Sequence, residues 1–185
     1  MRYASIRDMD ISNGIGIGVA LFVQGCHRHC KGCFNPSTWD FNGGQEWTEE
    51  VQNKFLALID KPFIKRVSIL GGEPLDYENL PDVYDLIKTI KEKYPDKKIW
   101  LYTGYTLSCG TNERGELLGD FANADTGWDN GLLRNHIIRN CDIIVDGEYK
   151  EELRDLTLAF RGSSNQRLID VKKTIQEKQI VLYTI

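Results

Sequence analysis

Short apolar runs alternate with helix-period segments along the chain, and most of the runs end at or near a glycine. Four runs are nearly all apolar, which is typical of strands that are buried on both faces of a sheet. They cover residues 19–23, 67–70, 99–102 and 142–145, and weaker strand candidates follow at 167–171 and 179–185. The segments between them predict helices at 48–59, 80–90 and 132–139, and Thr48 is placed to cap the first helix.

Repeated strand–loop–helix units predict an α/β fold, in which a mostly parallel sheet is covered by helices. The 185 residues indicate a single domain, and they fall short of the roughly 250 residues that a complete eightfold β/α barrel usually needs. Ligands of such sheets bind at the carboxyl ends of the strands. Those ends carry Gly25-Cys26, Gly71-Gly72-Glu73, Thr103-Gly104 and Asp146-Gly147. We therefore expect the functional site along this one edge of the sheet.

The stretch 107–131 departs from the regular alternation. It holds five glycines and shows no sustained periodicity. A loop of this length within a compact domain is usually functional or disordered. Because it also carries Leu117, Leu118, Phe121 and Trp128, we expect part of it to pack. We treat it as a long, partly irregular insertion in a domain that spans 1–185.

The composition agrees with a globular protein, since 41% of the residues are hydrophobic and 27% are charged. The formal net charge is −4 and no block of like charge stands out, which argues against binding to nucleic acid or to an anionic membrane. No apolar run approaches the roughly 18 residues of a membrane span, and the first ten residues are too charged for a signal peptide. We expect a cytoplasmic protein.

Three of the five cysteines lie within eight residues, as Cys26, Cys30 and Cys33. Soft thiolates grouped on one short loop suit zinc or an iron–sulfur cluster. Structural zinc sites and electron-transfer clusters usually take four protein ligands. Three cysteines therefore favour a [4Fe–4S] cluster with one iron left open, and an open position is what a catalytic metal site needs for its substrate.

Other ligand sets remain open at this point. His27 or His29 could complete a zinc site with the cysteines. Cys109 or Cys141 could fold back as a fourth ligand, although both are better interpreted as ordinary thiols.

The cysteine loop after one strand, followed by Gly71-Gly72-Glu73-Pro74 after the next, resembles the radical S-adenosylmethionine (SAM) enzymes. The resemblance implies an incomplete β/α barrel of mostly parallel strands. It also implies that the three cysteines hold a [4Fe–4S] cluster whose open iron binds the amino and carboxylate groups of SAM. Glycines allow the backbone to approach a ligand closely, and carbonyls with a carboxylate can receive its ammonium group.

Further segments extend the resemblance along nearly the whole chain, at 13–16, 21–26, 33–39, 99–105, 145–147 and 160–167. They narrow it to the family of enzymes that activate glycyl-radical enzymes, and within it to the activases of anaerobic ribonucleoside-triphosphate reductase. Two positions depart from common patterns. Ile15 stands where the family often has proline, and Gly32 stands where the wider superfamily often has an aromatic residue that contacts adenine.

What the resemblance implies is reductive cleavage of SAM and a glycyl radical on the reductase, with a donor such as a flavodoxin-like protein supplying the electron. The metal ligands would be Cys26, Cys30 and Cys33, with no catalytic residue beyond the cluster and SAM. Cofactor contacts are expected from Gly32, Cys33, Phe34, Gly71, Gly72, Glu73, Pro74, Tyr102, Thr103, Asp146, Asn165 and Arg167. The Arg167 guanidinium could receive a carboxylate or pair structurally.

Two alternative functions remain open for this chain. The first is another radical SAM enzyme, either an activase of pyruvate formate-lyase or an enzyme that modifies a small molecule; the Tyr-Thr-Gly-Tyr and Asn-Gln-Arg segments favour the reductase activase over it. The second is a non-enzymatic zinc or iron–sulfur module, which predicts four ligands and no dependence on SAM. The Gly-Gly-Glu-Pro segment counts against that module. For the activase, an incomplete barrel would leave a lateral opening through which a glycine of another protein could reach the site.

Overall fold

A seven-stranded sheet organises the computed structural model, which describes residues 1–109, 117–119 and 128–185. The strands of the described residues are β1 (Arg2–Asp10), β2 (Gly18–Val23), β3 (Gln45–Glu46), β4 (Arg66–Gly71), β5 (Lys98–Tyr102), β6 (Leu107–Cys109), β7 (Leu117–Gly119), β8 (Ile143–Asp146) and β9 (Arg167–Asp170). The α-helices of the same ranges are α1 (Glu49–Ile59), α2 (Leu80–Lys93), α3 (Trp128–Asn140) and α4 (Val171–Glu177).

The strand order in the main sheet is β3-β1-β2-β4-β5-β8-β9, and β6 and β7 form a separate antiparallel pair. The four central strands β2, β4, β5 and β8 are parallel. The outer strands β1, β3 and β9 run antiparallel to their neighbours. The α/β class is confirmed, and the sheet is mostly parallel and not closed, which is consistent with a partial barrel.

Local sequence explains where the first two helices begin. The Thr48 hydroxyl accepts a hydrogen bond from the Val51 N–H at 3.3 Å, and Glu49 and Glu50 place negative charge in the first turn of α1. Proline stands in the first turn of α2, where a backbone N–H has no helical partner. Both helices lie close to their predicted bounds.

The two faces of the parallel strands differ in what covers them. Leu21 and Ile69 point into the main core, which includes Phe55 of α1 and Ile87 of α2. The opposite face carries a small cluster of Ala20, Phe22 and Leu70, with Tyr102 packed against it. Because both faces are buried, these strands are nearly all apolar. The functional site described below lies on the second face.

Three local predictions differ from the structure. Strand β1 was not predicted, because only Tyr3 and Asp10 of its nine residues are buried and it lacks a clear apolar alternation. The strand predicted at 179–185 is wrong, since this segment makes only an isolated bridge between Leu182 and Ile169. Helix α4 was missed because it is only seven residues long.

The predicted insertion at 107–131 falls largely outside the described residues. Its described parts are the β6–β7 pair and the beginning of α3, which starts at Trp128 rather than at 132. None of the helices that the structure describes is long and apolar enough to cross a bilayer.

Candidate functional site

A cavity of about 550 Å³ lies at the carboxyl ends of the parallel strands, on the sheet face opposite the main core. This volume falls in the range of small-molecule and cofactor sites. The cysteine loop and the ends of β4 and β5 all contribute to its wall, through Cys26, Cys30, Cys33, Gly71, Gly72, Glu73, Tyr102, Thr103 and Gly104. This arrangement agrees with the expectation that the motifs at the strand ends meet along one edge of the sheet.

The three cysteines of the loop 26–33 line the same cavity, with Cys26 buried and Cys30 and Cys33 half-buried. The Cys33 N–H donates to the Cys30 carbonyl at 3.1 Å, and the Asn35 N–H donates to the Cys33 sulfur at 3.3 Å. Thiolates with backbone N–H donors are the ligands that iron–sulfur clusters use. The donor set therefore fits such a cluster.

Without a metal, the surroundings of Cys26 and Cys30 favour their neutral thiols. Burial, together with the nearby Glu73 carboxylate, raises the pKa of Cys26 to about 12. Burial and Glu148 also raise the pKa of Cys30, while the positive charge of Arg28 acts in the opposite direction. A bound metal cation reverses this preference, because thiolates bind metals and protons leave as the metal enters.

Zinc makes a different demand on its ligands, since all four lie within about 2.1–2.3 Å of one ion. In the described ranges, no three histidine, cysteine, aspartate or glutamate side chains are gathered around such a point. The thiolates of a cluster bind different irons and stand farther apart.

His27 is held by carboxylates at both ring nitrogens. Its Nδ1 lies 3.3 Å from Asp76 Oδ2 and its Nε2 lies 3.4 Å from Glu78 Oε1, while the ring lies between Phe41 and Tyr77. A ligating histidine needs one ring nitrogen free for the metal. His27 is therefore engaged with its neighbours instead. His29 stacks on Trp39, with the ring centroids 4.6 Å apart.

The glycine pair at the end of β4 packs against the cysteine loop. The Gly72 N–H donates to Val23 O at 2.9 Å, and the Glu73 N–H donates to Gly25 O at 2.8 Å. A Cβ on Gly72 would overlap the Gly25 carbonyl. These glycines were expected to allow a ligand to approach the backbone closely. The structure shows that they also allow the backbone of the cysteine loop to approach closely.

The Glu73 carboxylate is buried and its oxygens are already bonded. They accept hydrogen bonds from the Leu75 N–H at 3.0 Å, the Thr103 hydroxyl at 2.8 Å and the Gly104 N–H at 2.7 Å. Burial raises its pKa to about 7, and the charge of Asp76 contributes in the same direction. Glu73 thus ties the end of β4 to the end of β5 beside the cavity.

Asp76 and Tyr105 belong to the site region but were missed by sequence reasoning. The Asp76 carboxylate is buried; it accepts the His27 backbone N–H at 2.9 Å and the Tyr105 hydroxyl at 2.8 Å. It therefore connects the cysteine loop with the turn after β5. The available signals were the position of Asp76 two residues after Gly-Gly-Glu-Pro and the Thr-Gly-Tyr segment.

Five predicted cofactor residues do not line the cavity, namely Gly32, Pro74, Asp146, Asn165 and Arg167. The Arg167 guanidinium donates to both oxygens of Asp146 and to the Leu107 carbonyl. Asn165 donates to the Glu148 carbonyl at 2.8 Å. Of the two possibilities stated for Arg167, the structure shows the structural pair.

Phe34, Tyr102 and Thr103 do line the cavity. The Tyr102 hydroxyl is buried and has no hydrogen-bond partner among the described residues. Buried polar groups are rarely left unpaired in proteins. This hydroxyl therefore has unused hydrogen-bonding capacity next to the cavity.

Cys141 stands apart from the site. Its thiol is buried and donates to the Ile137 carbonyl at 3.2 Å, so it is an ordinary core thiol. The side chain of Cys109 lies outside the described part of the chain.

A family described as "4Fe-4S single cluster domain" matches residues 12–169 of the chain. The anaerobic ribonucleoside-triphosphate reductase-activating protein of Salmonella typhi is 37% identical over 168 residues, which cover 90% of this chain and 96% of that protein. The chain belongs to the family of these reductase-activating proteins. Proteins of the same description from Escherichia coli (strain K12) and Enterobacteria phage T4 are 35% and 32% identical over 168 residues, covering 90% and 91% of this chain and 96% and 93% of those proteins.

Membership of this family confirms the resemblance seen in the sequence. It also supports a [4Fe–4S] cluster as a cofactor, because the matched region contains the whole cysteine loop 26–33. The zinc alternative is thereby disfavoured.

Proposed function

We propose that this chain activates an anaerobic ribonucleoside-triphosphate reductase by cleaving SAM reductively at a [4Fe–4S] cluster and leaving a glycyl radical on the reductase. The observation that carries the proposal is the shared cavity, where the three loop cysteines meet the glycine pair of β4. The names of the curated relatives support the identity of the partner.

Cys26, Cys30 and Cys33 would hold the cluster in this cavity. When bound, the cluster would supply one electron to the sulfonium of SAM, giving methionine and a 5′-deoxyadenosyl radical that takes a hydrogen atom from the glycine Cα. The chain itself binds and orients the reactants and keeps water out of the cavity.

For SAM we propose contacts from the backbone of Gly71 and Gly72, from the Tyr102 hydroxyl, and from the loop around Cys33 and Phe34. Glu73 would act differently from our sequence expectation. Because its oxygens already accept three hydrogen bonds, we propose that it positions the strand ends that frame SAM, while backbone carbonyls receive the ammonium group.

The open sheet supports a protein substrate. Strands β3 and β9 stand at opposite ends of the strand order, so the sheet leaves a lateral opening. Phe34 and Leu156 line the cavity and are 51% and 71% exposed. We propose that these two exposed apolar side chains contact the reductase.

A one-electron donor must reach the cluster from outside, and a flavodoxin-like protein fits this role. The outer side of the cysteine loop is open to it, because His29, Lys31 and Gly32 are exposed. We also propose that the chain works in the cytoplasm, where a reducing environment keeps cluster thiols from forming disulfides.

Anaerobic reconstitution with iron and sulfide tests this function. We expect a brown protein with a four-iron cluster that releases 5′-deoxyadenosine when dithionite and SAM are added. Mixing it with the reductase should produce a glycyl radical in the electron paramagnetic resonance (EPR) spectrum. The variant Cys30→Ala should lose both the cluster and SAM cleavage, whereas Cys141→Ala should keep them.

Three results would contradict the proposal. Bound zinc without SAM cleavage would favour the non-enzymatic module. A radical on pyruvate formate-lyase but not on the reductase would favour the other activase. SAM cleavage with a radical on neither protein would favour an enzyme that modifies a small molecule.

A further inference from the structure

Arg28 is a cationic side chain of the cysteine loop that lies along the wall of the cavity. It stands midway between Cys26 and Cys30, and its side chain is only 19% exposed. The guanidinium carbon lies 4.9 Å from the centre of the Tyr105 ring, and Nη2 lies 3.5 Å from Glu148 Oε2. These contacts hold a positive charge in a defined place in the cavity wall, which Cys26 and Cys30 also line.

The turn after β5 is shaped to receive this side chain. A Cβ on Gly104 would overlap Arg28 Cδ, so glycine leaves the space that the arginine stem fills. The Gly104 N–H is bonded to Glu73, and the Tyr105 hydroxyl is bonded to Asp76. The Thr-Gly-Tyr segment was conspicuous in the sequence, and holding Arg28 gives it a role.

Lys31 provides a contrast within the same loop. Its side chain is 91% exposed, and its ion pair with Glu151 spans 3.3 Å on the surface. Water and salt screen such a charge strongly. Arg28 is shielded from solvent by the protein, so its field acts on the cluster site with less screening.

We propose that Arg28 sets the reduction potential of the cluster by acting as a fixed positive charge that stabilises its reduced state. The inference rests on the proposed function. The step concerned is the addition of one electron, which comes from an external one-electron donor and makes the cluster one unit more negative, with no bond made or broken. A nearby cation stabilises the more negative state more strongly, which raises the potential.

Glu148 carries a negative charge that should oppose the effect of Arg28 on the cluster. Its carboxylate lies against Arg28 and is 42% exposed. Its negative charge acts on Cys30 in the sense opposite to that of Arg28. The potential of the cluster should therefore reflect the balance of this pair.

Redox titration of the reconstituted protein without SAM, followed by EPR of the reduced cluster, tests the inference. In Arg28→Gln the midpoint should move to a more negative potential. At the wild-type midpoint potential, the ratio of reduced to oxidised cluster should decrease by a factor of about three to ten. A tenfold decrease corresponds to a shift of ~59 mV for one electron. Arg28→Lys should keep most of the wild-type potential, and Lys31→Gln should match the wild type.

Two further variants keep the test valid where Arg28→Gln fails to hold a cluster. Gly104→Ala displaces the guanidinium without removing its charge, so it should give a smaller shift in the negative direction. Glu148→Gln removes the opposing charge, so it should give a positive shift.

The outcomes separate the two proposals. Unchanged midpoints in Arg28→Gln, or in both Gly104→Ala and Glu148→Gln, with wild-type iron content and EPR line shape, would overturn the role of Arg28 and leave the proposed function standing. A wild-type chain that binds no iron–sulfur cluster would overturn the proposed function and this inference together.

Discussion

The two edges of the parallel sheet treat buried carboxylates in opposite ways. At the amino ends of the strands, Asp10 and Asp142 are paired with cationic side chains. At the carboxyl ends, Glu73 is equally buried, yet the hydrogen bonds described for it come from neutral donors. The first edge supports the fold, and the second holds the candidate site.

At the amino edge the charges compensate one another inside the protein. Burial alone would raise the pKa of Asp142, but Lys91 at 2.8 Å, the Ile99 N–H at 3.0 Å and Lys98 at 3.2 Å lower it to about 2. Burial acts on Asp10 in the same way, and the hydrogen bond from Arg66 at 2.7 Å lowers its pKa overall.

At the carboxyl edge, the described hydrogen bonds of the Glu73 carboxylate come from neutral donors. The pKa of Glu73 is raised to about 7 by burial and by Asp76. Groups with such perturbed pKa values cluster at functional sites. Under the proposed function, SAM would add its ammonium and sulfonium charges to an edge whose cavity wall already carries Arg28.

The largest effect should come from breaking the buried pair at the amino edge. Arg66→Met leaves the Asp10 carboxylate buried without its cation, since both side chains are at most 3% exposed. We expect the free energy of unfolding in urea to fall by about 3–5 kcal/mol.

The control for this prediction is Lys61→Met, which removes an exposed ion pair with Asp8 and should cost at most about 1 kcal/mol. Because Arg66 does not line the cavity, SAM cleavage per folded molecule should stay at the wild-type level. A loss of cleavage without a loss of stability would contradict the division between the two edges.

The next effect tests the packing of the carboxyl edge. Gly72→Ala places a methyl group against the Gly25 carbonyl. Backbone atoms cannot move aside as easily as the end of a flexible side chain can. We expect a loss of about 1–3 kcal/mol and at least about a tenfold drop in bound iron, because the cysteine loop is pushed away.

Gly131→Ala is the matched control for Gly72→Ala. Gly131 lies in α3, and a Cβ there meets no atom within 4 Å. Alanine in a helix interior is favoured over glycine by about 0.5–1 kcal/mol. The control should therefore be slightly more stable, with unchanged iron content. Wild-type iron content in Gly72→Ala would show that the loop does not depend on this contact.

A pH titration of stability examines the amino edge again. The folded pKa of Asp142 is about 2, below the unfolded value of about 3.9. A lowered folded pKa gives stability that is complete above the unfolded pKa and is lost as the pH falls towards 2. Since each pKa unit corresponds to about 1.4 kcal/mol, this contribution is about 2 kcal/mol.

The measurement compares wild type with Asp142→Asn in urea unfolding between pH 2 and pH 6. The stability difference between the two should be greatest near pH 6 and should shrink as the pH falls. A difference that is independent of pH would show that the lysines do not stabilise the ionised carboxylate.

The variant Tyr105→Phe should have the smallest effect on stability but a clear effect on how firmly the cluster is held. Tyr105→Phe removes the hydroxyl that donates to Asp76, which should cost about 1 kcal/mol. We expect faster release of iron to a chelator, because Asp76 also holds the His27 N–H of the cysteine loop. Tyr84→Phe, a half-buried tyrosine of α2, should leave iron release unchanged.

Much of the fold followed from short-range pattern. The four central strands were predicted because burial on both faces makes them nearly all apolar, and α1 was predicted from Thr48 and its apolar spacing. Strand β1 was not predicted because only two of its nine residues are buried, so its sequence lacks a clear apolar pattern. The tail at 179–185 has strand-like residues, but no neighbouring strand pairs along its length.

The candidate site divides in the same way. Cys26, Cys30 and Cys33 could be predicted as metal ligands because the spacing of cysteines on one loop is visible in the sequence. Asp76 and Tyr105 were not, because 29 positions separate the two partners of their hydrogen bond. The role of Arg167 was also undecided until strand register placed it opposite Asp146.

The sequence alone determined the chemistry of this protein, since ligand type, ligand count and the glycine pair are local properties of the chain. The tertiary structure decided what each charged group at the site faces. In it, Glu73 accepts a hydrogen bond at the end of β5, Arg167 donates to Asp146, and the Arg28 guanidinium lies over the Tyr105 ring. The physical reason is that electrostatic interactions depend on distance and burial, and neither is written in the order of the residues.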